Sequence, residues 1–178
     1  MTSNHARLIA LASAILAAAA LRLVPHPPNF SPIGAMALFS GAYLGRRSLA
    51  LLAPLGALLL SDAVLGFYTG FWIQYVAVAL IALLGSFALR HVSPRRVITA
   101  TLASSLLFFA VSNFGVWAVS GMYPMTASGL AACFVAAVPF FQNTVAGDLF
   151  YAALMFGGFA LAERIVPALR DDRRVQPA

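Results

Sequence analysis

Two carboxylates set in apolar sequence, Asp62 and Asp148, are the groups of this chain best placed to do chemistry. A charge in hydrocarbon costs at least about 2.5 kcal/mol unless water, a donor or a cation meets it. Asp62 follows Ser61 and precedes the run Gly66-Phe67-Tyr68-Thr69-Gly70-Phe71-Trp72, with Gln74 and Tyr75 just beyond. Two readings of Asp62 stand: a ligand-facing group, or a helix-end carboxylate at headgroup level with Trp72 and Tyr75 as interfacial anchors. Asp148 comes after Gln142, Asn143 and Thr144 and sits beside Gly147. Asn143 and Gly147 are four apart, as are Thr144 and Asp148. On a helix each pair shares a face and sets polar groups where a ligand could approach backbone. A polar contact between helices, or capping of the last helix, is the structural alternative. Asn113 and Trp117 also share a face, with Trp117 as pocket wall or interfacial anchor.

The stretch Pro25-His26-Pro27-Pro28-Asn29-Phe30-Ser31-Pro32 cannot form a continuous helix and reads as an ordered rim or lid. Asn29, Asp62, Tyr68, Trp72, Asn113, Trp117, Tyr123, Gln142, Asn143 and Asp148 would together make a concave, aromatic binding site with scattered hydrogen-bonding groups. The basic groups on that side are limited to Arg22 and His26. A polyanion is poorly matched, whereas a neutral, heterocyclic or cationic molecule suits the rings and the two aspartates.

Other chemistries find no support. The chain has no lysine and hence no phosphate-binding loop of the Walker type, so any ATP-driven work falls to a partner. One cysteine permits no internal disulfide, and no paired metal-ligand spacing exists. Cys133 is expected to pack as a small apolar residue. His5 and His91 fall on one side and His26 on the other, which leaves no facing pair for haem. No cofactor or resident metal is expected. Ser40, Ser61 and Ser112 adjoin no histidine in a nucleophile motif, so no catalytic residue is assigned and the chain is read as a non-enzyme.

The elements that must position these groups follow from composition. With 62% hydrophobic and 9% charged residues, the 178-residue chain reads as an integral membrane protein. Long apolar runs without period-2 alternation favour helices over a barrel, so the fold class is all-α. Six spans are expected: Arg7 to Val24, Ser31 to Leu44, Ser48 to Phe67, Phe71 to Arg90, Val97 to Ser120, and about Phe141 to Val166. Between the last two, Met122 to Pro139 holds an apolar stretch too short to cross and closed by a proline. It reads as an interfacial or re-entrant helix. Residues 1–170 form one transmembrane domain and 171–178 a short cytoplasmic tail.

Arg7, Arg46, Arg47, Arg90, Arg95, Arg96, Arg164, Arg170, Arg173 and Arg174 fall on one side of this threading, and Arg22 alone on the other. The positive-inside rule places both termini in the cytoplasm. The net charge of +6 punctuates spans instead of building a basic face, which argues against nucleic acid. The first span has the layout of a signal peptide, but retention is expected. Its residues Ala10, Ala14 and Ala18 recur every four positions and form a smooth ridge for close approach of another helix.

Six short helices, cytoplasmic termini, the alanine ridge and an outer site built from the first, third and fifth loops resemble the substrate-binding S component of energy-coupling factor (ECF) vitamin transporters. The segments Asn29-Phe30-Ser31-Pro32-Ile33-Gly34-Ala35-Met36-Ala37-Leu38-Phe39-Ser40-Gly41 and Ser61-Asp62-Ala63-Val64-Leu65-Gly66-Phe67-Tyr68 resemble an uncharacterised group of bacterial membrane proteins related to it. The resemblance implies an inner-membrane subunit that captures a vitamin or related molecule outside and topples to deliver it. A coupling protein with two ATPases would supply the drive and meet Ala10, Ala14 and Ala18. Cobalamin is one named possibility, since some solitary S components ligate cobalt through a cysteine, but no motif equates Cys133 or His26 with that ligand. Two alternatives remain: an autonomous channel or proton-linked transporter using Asp62 and Asp148, and a membrane enzyme acting on a lipid or quinone.

Overall fold

The computed structural model describes residues 3–45 and 47–170. Arg46 and the expected tail at 171–178, with Arg173 and Arg174, lie outside the described residues. The described chain is all-helical: α1 (Ser3–Leu21), α2 (Ile33–Tyr43), α3 (Arg47–Leu65), α4 (Phe71–Ala88), α5 (Pro94–Val119), α6 (Ala127–Ala152) and α7 (Gly158–Ile165). A π-helical turn, Ala153–Gly157, joins α6 to α7, and a 3-10 turn, Pro167–Leu169, follows. Local chemistry sets several starts. The Ser93 side chain caps α5 by accepting from the Arg96 amide, with Pro94 in the first turn, and Thr126 caps α6 through the Gly129 amide.

Helices α3, α4, α5 and the run Ala127–Ile165 are long and apolar enough to cross a membrane, while α1 and α2 are shorter apolar helices. Large side chains such as Leu52, Leu60, Val64, Leu106, Leu161 and Ile165 stand exposed on the outside. Apolar surface on that scale is foreign to a monomer in water and fits a lipid-facing belt.

α2 is the hub. Ile33 through Gly41 are all buried, and the helix touches α1, α3, α4, α5, α6 and the π turn. A helix apolar on every side belongs in a core. Its eleven residues reach only about 16 Å, roughly half of the 30 Å or so of a bilayer's hydrocarbon. The approach to α4 needs two glycines. A Cβ on Gly41 would lie 2.8 Å from the Ser86 amide nitrogen, and one on Gly85 would lie 3.0 Å from the Leu38 Cα.

One expectation changes. The separate helix over Met122 to Pro139 and the span from Phe141 form part of a single 39-residue helical run, with Pro139 inside α6. A proline removes one backbone bond, but packing can hold the helix through it. Phe109 of α5 contacts both Phe134 and Phe141, at centroid distances of 5.5 and 4.8 Å, and so grips α6 before and after the proline. α3 likewise continues through Pro54.

Contacts sort the arginines between the two ends. The Arg7 guanidinium pairs with Glu163, donates to the Leu169 carbonyl and lies over the rings of Tyr43 and Phe159. Arg47 and Arg90 both cover Phe87, which joins the α2–α3 and α4–α5 connections at that same end. Arg22 follows the far end of α1.

Candidate functional site

The segment between α1 and α2 is irregular yet held in place. Asn29 takes a left-handed φ of 63°, and the Phe30 amide donates to the Pro27 carbonyl at 3.0 Å. Phe30 packs on Phe150 and Tyr151, and Asn143 Nδ2 donates to the Pro28 carbonyl at 3.0 Å. Gly147 lets this chain lie directly on α6, since a Cβ there would come 3.0 Å from the Phe30 Cα. The prolines restrict the loop and these contacts fasten it.

Beneath the loop is a cavity of about 330 Å³, within the range of small-molecule pockets. His26, Asn29 and Leu65 are exposed at its mouth. Gln74, Phe108 and Ser31 stand at intermediate depth, and Ile33, Gly34, Thr144 and Asp148 are buried at its base.

Asp148 is 4% exposed, and Ser105 Oγ donates to its Oδ2 at 2.7 Å. It faces Gly34 in the first turn of α2, where a Cβ would lie 2.9 Å from the carboxylate carbon. A side chain at this position would press on the carboxylate where it now lies. The amino end of a helix also favours a negative charge. Among the described residues, neither ion pair includes Asp148.

Asp62 is in the opposite condition. Arg22 Nη1 pairs with its Oδ1 at 2.8 Å, and Tyr75 donates its hydroxyl to Oδ2 at 2.9 Å. The same Arg22 nitrogen donates to Ser61 Oγ and reaches the Leu58 carbonyl at 3.5 Å. Arg22 lines the cavity; Asp62 stands behind it and cancels its charge. Tyr68, in the α3–α4 connection, donates to Gln74 Oε1 at 2.6 Å. Burial, then the Asp62 carboxylate, push the Tyr68 phenol above its usual range against a smaller opposing pull from Arg22, so it remains a neutral donor.

Of the site expected from sequence, Asn29 and Asp148 line the cavity. Asp62, Tyr68 and Asn143 stand one step back, acting through Arg22, Gln74 and the Pro28 carbonyl. The other five are not in its lining. Trp72 and Gln142 are exposed, and the Asn113 amide donates within its own helix to Phe109 at 2.7 Å. Trp117 donates to the Pro124 carbonyl at 2.9 Å, and Tyr123 lies in the α5–α6 turn. Gly34, Ser105 and Phe108 escaped the sequence reading, whereas the isolation of Arg22 among the arginines was a usable signal. Ala10, Ala14 and Ala18 line a second, apolar hollow of about 320 Å³ between α1 and the α6–α7 run, opposite Tyr151, Met155 and Phe159. Among the described residues no cluster of three or more His, Cys, Asp or Glu could hold a metal. Buried Cys133 approaches the Asn113 carbonyl at 3.4 Å.

Comparison with known families gives a match over residues 2–169 to DUF6580, a family of unknown function. The chain belongs to that family. No curated protein and no solved structure matches it significantly.

Proposed function

We propose that the chain is a non-enzymatic membrane subunit that binds a small molecule, of the size of a vitamin or cofactor precursor, for uptake. The observation that carries this reading is the cavity beneath the prolyl loop, with a buried carboxylate at its base and hydrogen-bonding groups on its walls. Six crossings with both termini in the cytoplasm of a bacterial inner membrane fit the grouping of the arginines opposite the cavity. The molecule would then be captured from outside. In the fuller form of the proposal, the S-component resemblance adds an ECF coupling protein and its ATPases, docking along Ala10, Ala14 and Ala18. Ligand would bias the protein toward delivery only through unequal affinity for its states. Native mass spectrometry of protein purified in mild detergent tests the reading: a co-purifying small molecule is expected in the wild type and lost in Asp148→Asn. A wild-type protein that carries nothing and binds no member of a vitamin and precursor collection would overturn it.

A second reading, a proton-linked transporter acting alone, is favoured by one fact: among the described residues Asp148 has Ser105 for a donor and no cationic partner. Uptake driven by a pH gradient in vesicles holding only the purified protein would select it.

A further inference from the structure

We propose that this cavity selects organic cations: a molecule whose protonated amine or amidine meets Asp148 while its apolar body lies against Phe108, Ile33 and Leu65. The inference rests on the binding role proposed above and adds the chemical class of the ligand. Three observations carry it. The Asp148 carboxylate is buried, lines the cavity and receives one neutral donor, Ser105, at Oδ2. A carboxylate so placed lacks the compensation that burial of a charge demands, and a cationic N–H group supplies it. The charges around the cavity do not offset it either. Of the two basic residues in the lining, Arg22 is held by Asp62 at 2.8 Å and His26 is exposed at the mouth, which leaves Asp148 at the base without a cationic partner among the described residues. Finally, the floor is shaped around this acid. Gly34 gives up its side chain to make room for it, and the first turn of α2, one of the few elements the cavity reaches, contributes no basic residue.

Phe108 adds a ring to the wall, so the cation's body is expected to be aromatic or aliphatic rather than sugar-like. An anionic ligand would set its charge beside Asp148 in a place of low dielectric, where like charges repel most strongly.

The test uses the full-length protein in detergent and matched probes: benzylamine and phenethylamine against benzyl alcohol, 2-phenylethanol, benzoate and phenylacetate. Thermal shift and equilibrium binding are read for each. Both amines are expected to stabilise the wild type and to bind at least about tenfold more tightly than the alcohols, the worth of a charge-assisted hydrogen bond. The acids should not bind. Asp148→Asn should erase the preference for the amines, and the wild-type ranking stands as a measurement that needs no variant. Equal binding of amines, alcohols and acids, or an amine preference that survives in Asp148→Asn, overturns the cation assignment and leaves the small-molecule role standing. If no probe binds and native mass spectrometry finds no co-purifying molecule, both fail together.

Discussion

Arg22 and Asp62 hold each other with little access to solvent, at side-chain exposures of 10% and 5%, so their fates are joined. Arg22→Met would leave Asp62 buried with Tyr75 as its remaining side-chain partner, and a lone buried charge of this kind costs about 3–5 kcal/mol. A melting temperature in detergent well below wild type is the expected result. Adding Asp62→Asn should recover much of the loss, because the stranded charge is then gone. Failure of the double variant to recover would mean that Arg22 acts through its stem packing or its bonds to Ser61 and Leu58. At this scale the sequence singled out both aspartates as costly groups needing a reason, and both are buried. It could not say which of them meets a cation. Asp62 finds its cation 40 positions upstream and Asp148 finds none among the described residues, and that difference exists only once α1 lies beside α3.

Helix α2 owes its place to residues that are absent as much as to those present. Gly41 and Gly85 let its backbone touch that of α4, so Gly41→Ala must push the helices apart and is expected to cost about 1–3 kcal/mol. Gly56, with nothing within 4 Å of where a Cβ would go, is the control: Gly56→Ala should be neutral or stabilise by up to about 1 kcal/mol. Equal melting shifts in the two variants would contradict the tight α2–α4 contact. Five of the six expected spans coincide with helices whose ends lie a few residues from those expected, and of these five α3, α4 and α5 are long and apolar enough to cross a membrane. The unity of the α6–α7 run was not legible. Pro139 is a stop signal in isolation, and the grip of Phe109 on both sides of it is a tertiary fact. The shortness of α2 was legible, since the expected second span runs only from Ser31 to Leu44, but composition could not say that the prolyl loop takes Ser31 and Pro32 from it.

At the scale of the bundle, the described arginines Arg7, Arg47 and Arg90 gather at the end opposite the cavity, which Arg22 lines, and the proposed orientation follows from that separation. In a Cys133→Ala background, cysteines placed at Arg95 and at His26 should react with a membrane-impermeant maleimide from opposite sides, with His26 labelled in intact cells and Arg95 only after lysis. The reverse pattern would turn the cavity inward and with it the proposed direction of transport. The half-length of α2 carries a further consequence. If the cavity fills with water from its own side, the remaining insulating layer is little thicker than the roughly 16 Å of that one helix. An applied membrane voltage then drops mostly below Asp148. A charge moved through the full field gains about 2.3 kcal/mol per 100 mV, but one that stops at this floor has crossed little of it. Occupancy of the cavity by benzylamine should therefore change by less than about twofold over 100 mV, whereas its onward release should be steeply voltage-dependent.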